Sequence, residues 1–353
     1  CTVSRAGLIR AVVFFGVLLA LPMGIGAQWV LNLFIFTVMY AALASSWNLI
    51  GGYAGYPSLG HAAFFGIGAY AVAVIFEKSV GDGYTPFWIL PIIGVAAALL
   101  SIPIGWVAMR TRADVFAIVT LAVLFIAQTL AFNLRSVTGG AQGKGVAVPP
   151  FAVDTYSWPF YYAMLILLAL AMGVSFYFRR SKVGLSLSAV RADEDKAHGV
   201  GVRVTGVKLI AFAVSVGITA MIGGVWAYYV GFIYPQFAVD PLITIGMVLM
   251  TFLGGRATLW GPVIGAFVLV PAQQFFAYQF GASQFYLLAY AAIFLIIMLV
   301  LPRGILPTIT DRLRNRRKSR LSTSPSPADS SVEPEQQKPP SAPLIEEVQD
   351  ATR

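Results

Sequence analysis

Apolar residues in this chain come in long runs, and the short segments between them carry nearly all the charge. The runs cover residues 11–27, 30–50, 58–76, 87–109, 115–132, 160–178, 209–230, 242–254, 260–280 and 285–301. A helix that crosses a membrane needs about 20 apolar residues, because the hydrocarbon core is about 30 Å thick and each residue rises about 1.5 Å. The ten runs meet or approach that length. The shortest, 242–254, stops at Gly254-Gly255 and is counted as a span, whether whole, broken or half-length. The pattern predicts an all-α fold: a polytopic transmembrane helix bundle of about ten spans.

Composition agrees with lipid as the solvent. Of 353 residues 58% are hydrophobic and only 11% charged, where soluble domains carry about 25% charge. The net charge of +9 does not indicate nucleic-acid binding, because the basic residues sit in clusters between the runs and form no face interleaved with aromatics. They read instead as a topology signal. With ten spans and the N-terminus inside, only Lys78, Arg135 and Lys144 of the 24 Lys and Arg fall outside. Both termini are therefore expected to be cytoplasmic. Fusing 242–254 to its neighbour would bury Arg256 in a helix, at a cost of a few kcal/mol. The first run, preceded by Arg5 and Arg10, resembles a signal peptide but is read as a retained helix because nine more follow. The opening Cys1 reads as a trimmed start, with a lipid-bearing N-terminus the lesser alternative. It is the single cysteine, so a disulfide within the chain is excluded.

Residues 1–310 are expected to form the membrane domain, containing a cytoplasmic loop at 179–208. Residues 311–353 form a basic juxtamembrane segment and a tail. The run Arg312 to Lys318 is read as a topology anchor on anionic lipid. Residues 321–353, rich in Ser, Pro and Glu, cannot bury enough apolar surface to offset the entropy of ordering and are expected to be a disordered tail.

The runs contain no Asp, Glu, Lys or Arg, and His61 is their one ionisable residue. Ion-coupled carriers usually place an ionisable group inside the bundle, because protonating it is how the gradient does work. A stand-alone secondary carrier therefore loses weight. Gly139 to Gly145, which holds Gly143-Lys144, lacks the spacing and the Ser or Thr of a phosphate loop and is read as an exterior turn. Two distant histidines and no acidic cluster argue against a membrane-embedded enzyme. No catalytic residue, metal site or cofactor is expected in this chain, so a motor for active transport would be another polypeptide.

Two stretches carry most of the remaining information. Residues 47–74, WNLIGGYAGYPSLGHAAFFGIGAYAVAV, are dense in Gly and Ala, which let backbones approach closely where lipid gives no hydrophobic drive. Residues 179–208, RRSKVGLSLSAVRADEDKAHGVGVRVTGVK, form the longest inner connection and the richest in both charges. From Leu185 to His198 an amphipathic helix is predicted, with Leu187, Val190 and Ala197 on its apolar side. Arg191, Asp193, Glu194, Asp195 and Lys196 are expected to face outward, and Gly199 and Gly201 to end it.

With LRSVTGGAQG at 134–143, LGGRATLWGPVIGA at 253–266 and LPRGI at 301–305, these stretches resemble the LivM-type permease of branched-chain amino acid ABC importers. The resemblance covers about residues 30–305. It implies a permease in a bacterial-type plasma membrane, paired with a second homologous permease. Two cytoplasmic ATP-binding subunits and an extracytoplasmic substrate-binding protein complete the implied assembly. It also implies that the 179–208 loop is a coupling helix docking on an ATPase, where Gly184, Arg191, Asp193, Glu194 and Gly201 match the family pattern. The cargo implied is a branched-chain or related amino acid, with urea or a short amide as the alternative.

Departures from the family are Leu185 and Ser188, where Arg is frequent, Asp195 and Lys196, and Tyr56-Pro57, where Gln-Leu or similar is usual. Candidate groups along the translocation path are Ser45, Ser46, Asn48, Ser58, His61, Thr120 and Gln128, although residues of this kind more often serve as helix–helix hydrogen-bond partners. Tyr84, Trp88, Tyr156, Trp158, Tyr234 and Gln236 on the outer loops suit either interfacial anchoring or docking of the binding protein.

Overall fold

The computed structural model describes residues 5–24, 27–280 and 304–308, with isolated positions 292 and 295. Its elements run in order α1 (Arg5–Gly24), α2 (Gln28–Asn48), a π-helical turn (Leu49–Ala54), α3 (His61–Ile75), α4 (Thr85–Ala108), α5 (Ala113–Asn133) and α6 (Arg135–Thr138). A two-residue strand β1 (Lys144–Gly145) precedes α7 (Ser157–Arg180), α8 (Lys182–Ala192), α9 (Glu194–Gly199) and α10 (Val204–Val230). The described chain continues with β2 (Phe232–Ile233), α11 (Pro235–Ala238), α12 (Pro241–Gly254) and α13 (Gly261–Phe280). This is an all-α bundle.

Nine of the ten apolar runs correspond to α1, α2, α3, α4, α5, α7, α10, α12 and α13. The tenth run, 285–301, apart from the isolated positions 292 and 295, and the segments at 312–318 and 321–353 lie outside the described residues. Seven described helical segments are long and apolar enough to cross a membrane, while Ala11–Gly24 and His61–Ile75 are shorter. The short run at 242–254 joins α11 to make a 20-residue segment, Pro235–Gly254. It ends where expected: Gly255 takes φ 119°, and Arg256 lies exposed in the connection to α13.

At the centre stands α10, 27 residues without proline, flanked by α3, α4 and α2. Small residues set how close these helices come. A Cβ added to Gly68 of α3 would lie 1.9 Å from the Ala220 carbonyl oxygen, and one added to Gly223 of α10 would lie 2.1 Å from that of Phe65. On the α4 side, a Cβ at Gly217 would lie 2.9 Å from the Gly94 oxygen. In lipid, helices associate through such van der Waals contact and interhelical hydrogen bonds, so hydrogen in place of a methyl group is what brings these backbones together.

The connections segregate to two ends. At one end β1 pairs antiparallel with β2, Lys144 opposite Ile233. There Lys144 also forms a 2.9 Å ion pair with Glu77, and Ala147 N donates to Phe76 O. The three loops read as external, 77–86, 133–159 and 231–241, thus meet, and the Gly139 to Gly145 turn is held by this pairing. At the opposite end lie 109–112, 179–208 and 255–260, the segments read as cytoplasmic.

Between α2 and α3 the backbone leaves regular helix, with Gly55 at φ 78°. The predicted third span begins at residue 58, but α3 begins at His61. Irregular backbone at this depth needs partners. It has them: Trp47 Nε1 donates to Ser58 O (2.8 Å) and Leu59 N donates to Thr120 Oγ1 (3.0 Å).

The contact between α3 and α10 makes a direct prediction. Gly68→Ala should destabilise the protein by about 1–3 kcal/mol, the usual cost of overpacking, because the opposing atom is backbone and cannot rotate away. Gly173→Ala on α7, where a Cβ meets nothing within 4 Å, should be neutral or stabilising. Thermal unfolding of the two variants in detergent separates them.

Candidate functional site

The loop at 179–208 is two helices, where the sequence predicts one. Ser181 caps α8, its hydroxyl accepting from Gly184 N at 3.3 Å, and the helix closes at Ala192. Asp193 then adopts extended backbone (φ −165°, ψ 112°) and caps α9 through Lys196 N at 3.0 Å. An Asp that takes the N-cap role interrupts one helix and starts the next, which splits the predicted 185–198 segment. Leu187, Val190 and Ala197 are buried, as their spacing predicts.

Glu194 corrects the expectation that it faces outward. Lys208, one turn into α10 and fully buried, donates to Glu194 Oε1 at 2.7 Å and to Met109 O at 3.2 Å. The Tyr56 hydroxyl donates to the other Glu194 oxygen. The Lys208 ammonium also lies 4.0 Å from the centroid of the Tyr56 ring, a cation–π contact. A buried ammonium left unpaired is costly, so the carboxylate is drawn inward. Burial alone would raise the Glu194 carboxyl, but the hydrogen bonds from Lys208 and Tyr56 and the charges of Lys208 and Arg112 outweigh it and hold it below the ordinary range. Burial, then the bond to Glu194, pushes the Tyr56 phenol up. These contacts connect α9 to the end of α4, the turn before α3 and the start of α10.

The other family-matched positions have local reasons. A Cβ at Gly184 would lie 1.7 Å from Phe178 O, so only glycine fits there. Gly201 takes φ 84° after α9, a left-handed conformation that favours glycine. The Arg191 stem packs over Gly55, where a Cβ would be 3.1 Å from Arg191 Cγ. Burial, then the nearby charge of Arg256, lowers the Arg191 guanidinium. Asp193 also pairs with the Lys196 ammonium at 2.9 Å. A cavity of about 550 Å³ opens beside α8, lined among others by Tyr53, Arg179, Ser188 and Arg191.

The seven polar residues named for the path are buried or half-buried in the bundle. His61 Nδ1 meets Ser58 Oγ at 2.9 Å and its Nε2 meets Ser215 Oγ at 2.7 Å. Ser215 gives its proton to Ser46 O at 2.6 Å, which assigns the imidazole hydrogen to Nε2 and leaves Nδ1 to accept from Ser58. Ser46 Oγ also meets Thr219 Oγ1 at 3.0 Å. Asn48 spans to the α12–α13 connection, donating to Thr258 O and accepting from Ala257 N, both at 2.9 Å. Gln128 donates to Val239 O at 3.1 Å, and Thr120 donates to Phe116 O at 3.0 Å. The Ser45 hydroxyl is buried without a partner among the described residues.

Sequence reading missed Ser215 and Thr219, whose i, i+4 spacing on α10 was an available signal, and missed Lys208 and Tyr56 as partners of Glu194. At the end that carries β1 and β2, Trp88 is 82% exposed, and Tyr84 and Tyr234 are exposed. Tyr156 instead stacks on Phe160, with ring centroids 5.4 Å apart.

Comparison with known proteins bears on this arrangement. Residues 29–301 match the family described as branched-chain amino acid transport system / permease component. Two similar proteins, from Salmonella typhimurium and Escherichia coli, are each named high-affinity branched-chain amino acid transport system permease protein LivM. Each is 27% identical over 308 residues, which cover 79% of this chain and 70% of the relative. No solved structure matches the chain significantly. With these relatives and its many apolar helices, the chain is a multi-pass integral protein of the inner membrane. Its match across most of its length places it in a known group: the chain belongs to the family of permease components of branched-chain amino acid transport systems.

Proposed function

We propose that this chain is the permease subunit of an ATP-driven ABC importer for branched-chain or related amino acids. It acts with a second homologous permease, two cytoplasmic ATP-binding subunits and an extracytoplasmic binding protein that delivers the substrate. Residues 1–310 form the permease unit, with both termini and the 179–208 loop on the cytoplasmic side. ATP binds to the partner subunits, and this chain needs no cofactor of its own.

One observation carries the reading: the contact of Glu194 with Lys208 and Tyr56. Through it, α9 grips the cytoplasmic end of the central helix and the end of α4. Displacement of α8 and α9 by an ATPase is delivered through this junction to α10, while Arg191 and Arg179 face the cavity beside α8 where an acidic partner side chain fits. The buried polar layer around His61 lies deeper in the bundle and lines the path when the helices part. Polar groups that exchange one hydrogen-bond partner for another give a weakly binding route, suited to a transporter whose selectivity begins in its receptor.

In the assembled transporter, Glu194→Gln should reduce uptake and binding-protein-stimulated ATP hydrolysis together by about tenfold, equivalent to ~1.4 kcal/mol, with docking of the binding protein preserved. Unchanged stimulated hydrolysis in a properly assembled variant removes the loop from the mechanism. Tyr56→Phe keeps the ring over the ammonium and loses only the hydroxyl bond. Its loss of uptake should be smaller, about two- to fivefold, equivalent to roughly 0.5–1 kcal/mol, as measured by the same assay. Uphill uptake by this chain alone in ATP-free proteoliposomes would overturn the reading.

A further inference from the structure

A cavity of about 610 Å³ opens at the end of the bundle opposite the 179–208 loop, between α2, α3, α10, α12 and α13. Half of its described lining residues are aromatic. Phe65 and Trp226, ring centroids 5.3 Å apart, belong to the inner part, where Phe65 is 1% exposed. Phe232, Tyr234 and Phe237, between 41% and 55% exposed, belong to the mouth. The Phe232 and Tyr234 centroids lie 4.9 Å apart.

Among the described residues the lining holds one charge, Asp240, and no Lys or Arg. One Asp240 oxygen accepts from Leu242 N at 2.8 Å as the N-cap of α12, which leaves the second oxygen for a ligand. Gln273 and Gln274 of α13 supply neutral amides. Phe65 stands one turn beyond His61 on α3, and Trp226 stands two turns beyond Thr219 on α10. At about 1.5 Å per residue, the buried polar layer therefore lies about 6–10 Å below these side chains along their helices.

We propose that this cavity is a substrate subsite within the permease that selects a primary ammonium on an apolar body. The proposal rests on the importer reading and deepens it by naming what the chain itself recognises. A carboxylate and several aromatic faces attract a cation, and the pull strengthens as water is displaced. No basic side chain in the lining repays the desolvation of an anion. An uncharged, compact solute such as urea can donate to Asp240 but brings no charge to neutralise it, and it leaves the aromatic wall wet. A zwitterionic amino acid fits with its ammonium at Asp240, its carboxylate at the glutamine amides and its side chain against Phe65 and Trp226. Released by the receptor, it meets here a surface that recognises the ammonium end and the apolar end separately.

The test uses the purified full-length chain in nanodiscs, without binding protein or nucleotide. Saturation-transfer NMR compares L-leucine, 3-methylbutylamine, 4-methylpentanoate and urea. The first two should bind, and the carboxylate and urea should not. Asp240→Asn retains a good helix cap and removes the charge, so binding of the amine should weaken about tenfold, as expected for one charge-assisted contact. Trp226→Leu, which leaves Asp240 untouched, should weaken leucine and the amine alike. Equal binding of amine and carboxylate, or undiminished amine binding by Asp240→Asn, overturns the subsite. Either result leaves ATP-driven uptake by the assembled transporter, measured separately, unaffected as a reading.

Discussion

The closeness of two backbones, those of α3 and α10, sets the geometry of the rest of the bundle. Gly68 lies against the Ala220 carbonyl and Gly223 against that of Phe65, with no room for a methyl group at either point. Lipid offers apolar side chains no reason to prefer one another, so shape and hydrogen bonding decide the association. Once the two helices touch, His61 of α3 reaches Ser215 of α10, and Ser46 of α2 reaches Thr219. The glycine contacts and the polar layer therefore support each other. The first sets the distance at which the second can form, and the second satisfies groups that would be costly to leave bare in hydrocarbon.

Much of this was legible in the sequence because membrane burial writes a coarse signal. Uncharged runs and basic clusters were enough to locate the apolar helices that the structure describes, including the break at Gly254-Gly255 that keeps Arg256 out of a helix. The glycines of 47–74 announced close packing without naming their partners. Gly68 and Ala220 are 152 positions apart, and nothing in local spacing pairs them. The polar residues were found for the same reason that their partners were not: a serine or histidine within an apolar run stands out, but its hydrogen bond is made across the fold.

The loop at 179–208 shows where helical periodicity misleads. An amphipathic pattern sorted Leu187, Val190 and Ala197 correctly, since burial follows a face of a helix. It placed Glu194 with the solvated charges because it treats like residues alike. The choice was made by Lys208, whose ammonium sits under the bundle and draws in the nearest carboxylate. Asp193, two positions after Arg191, spent its carboxylate on a helix cap instead. One acidic cluster thus divides into a cap and an ion pair.

A last consequence concerns α10 as a solid object. Its 27 residues make a rod about 40 Å long, with no proline to hinge it. One end carries the ammonium held by Glu194, and the other passes within two residues into the strand that clasps Lys144. Tilting such a rod moves its ends in opposite senses. The aromatic mouth and the 179–208 loop are therefore handles on a single lever, and the grip of the small residues on its flanks is the fulcrum.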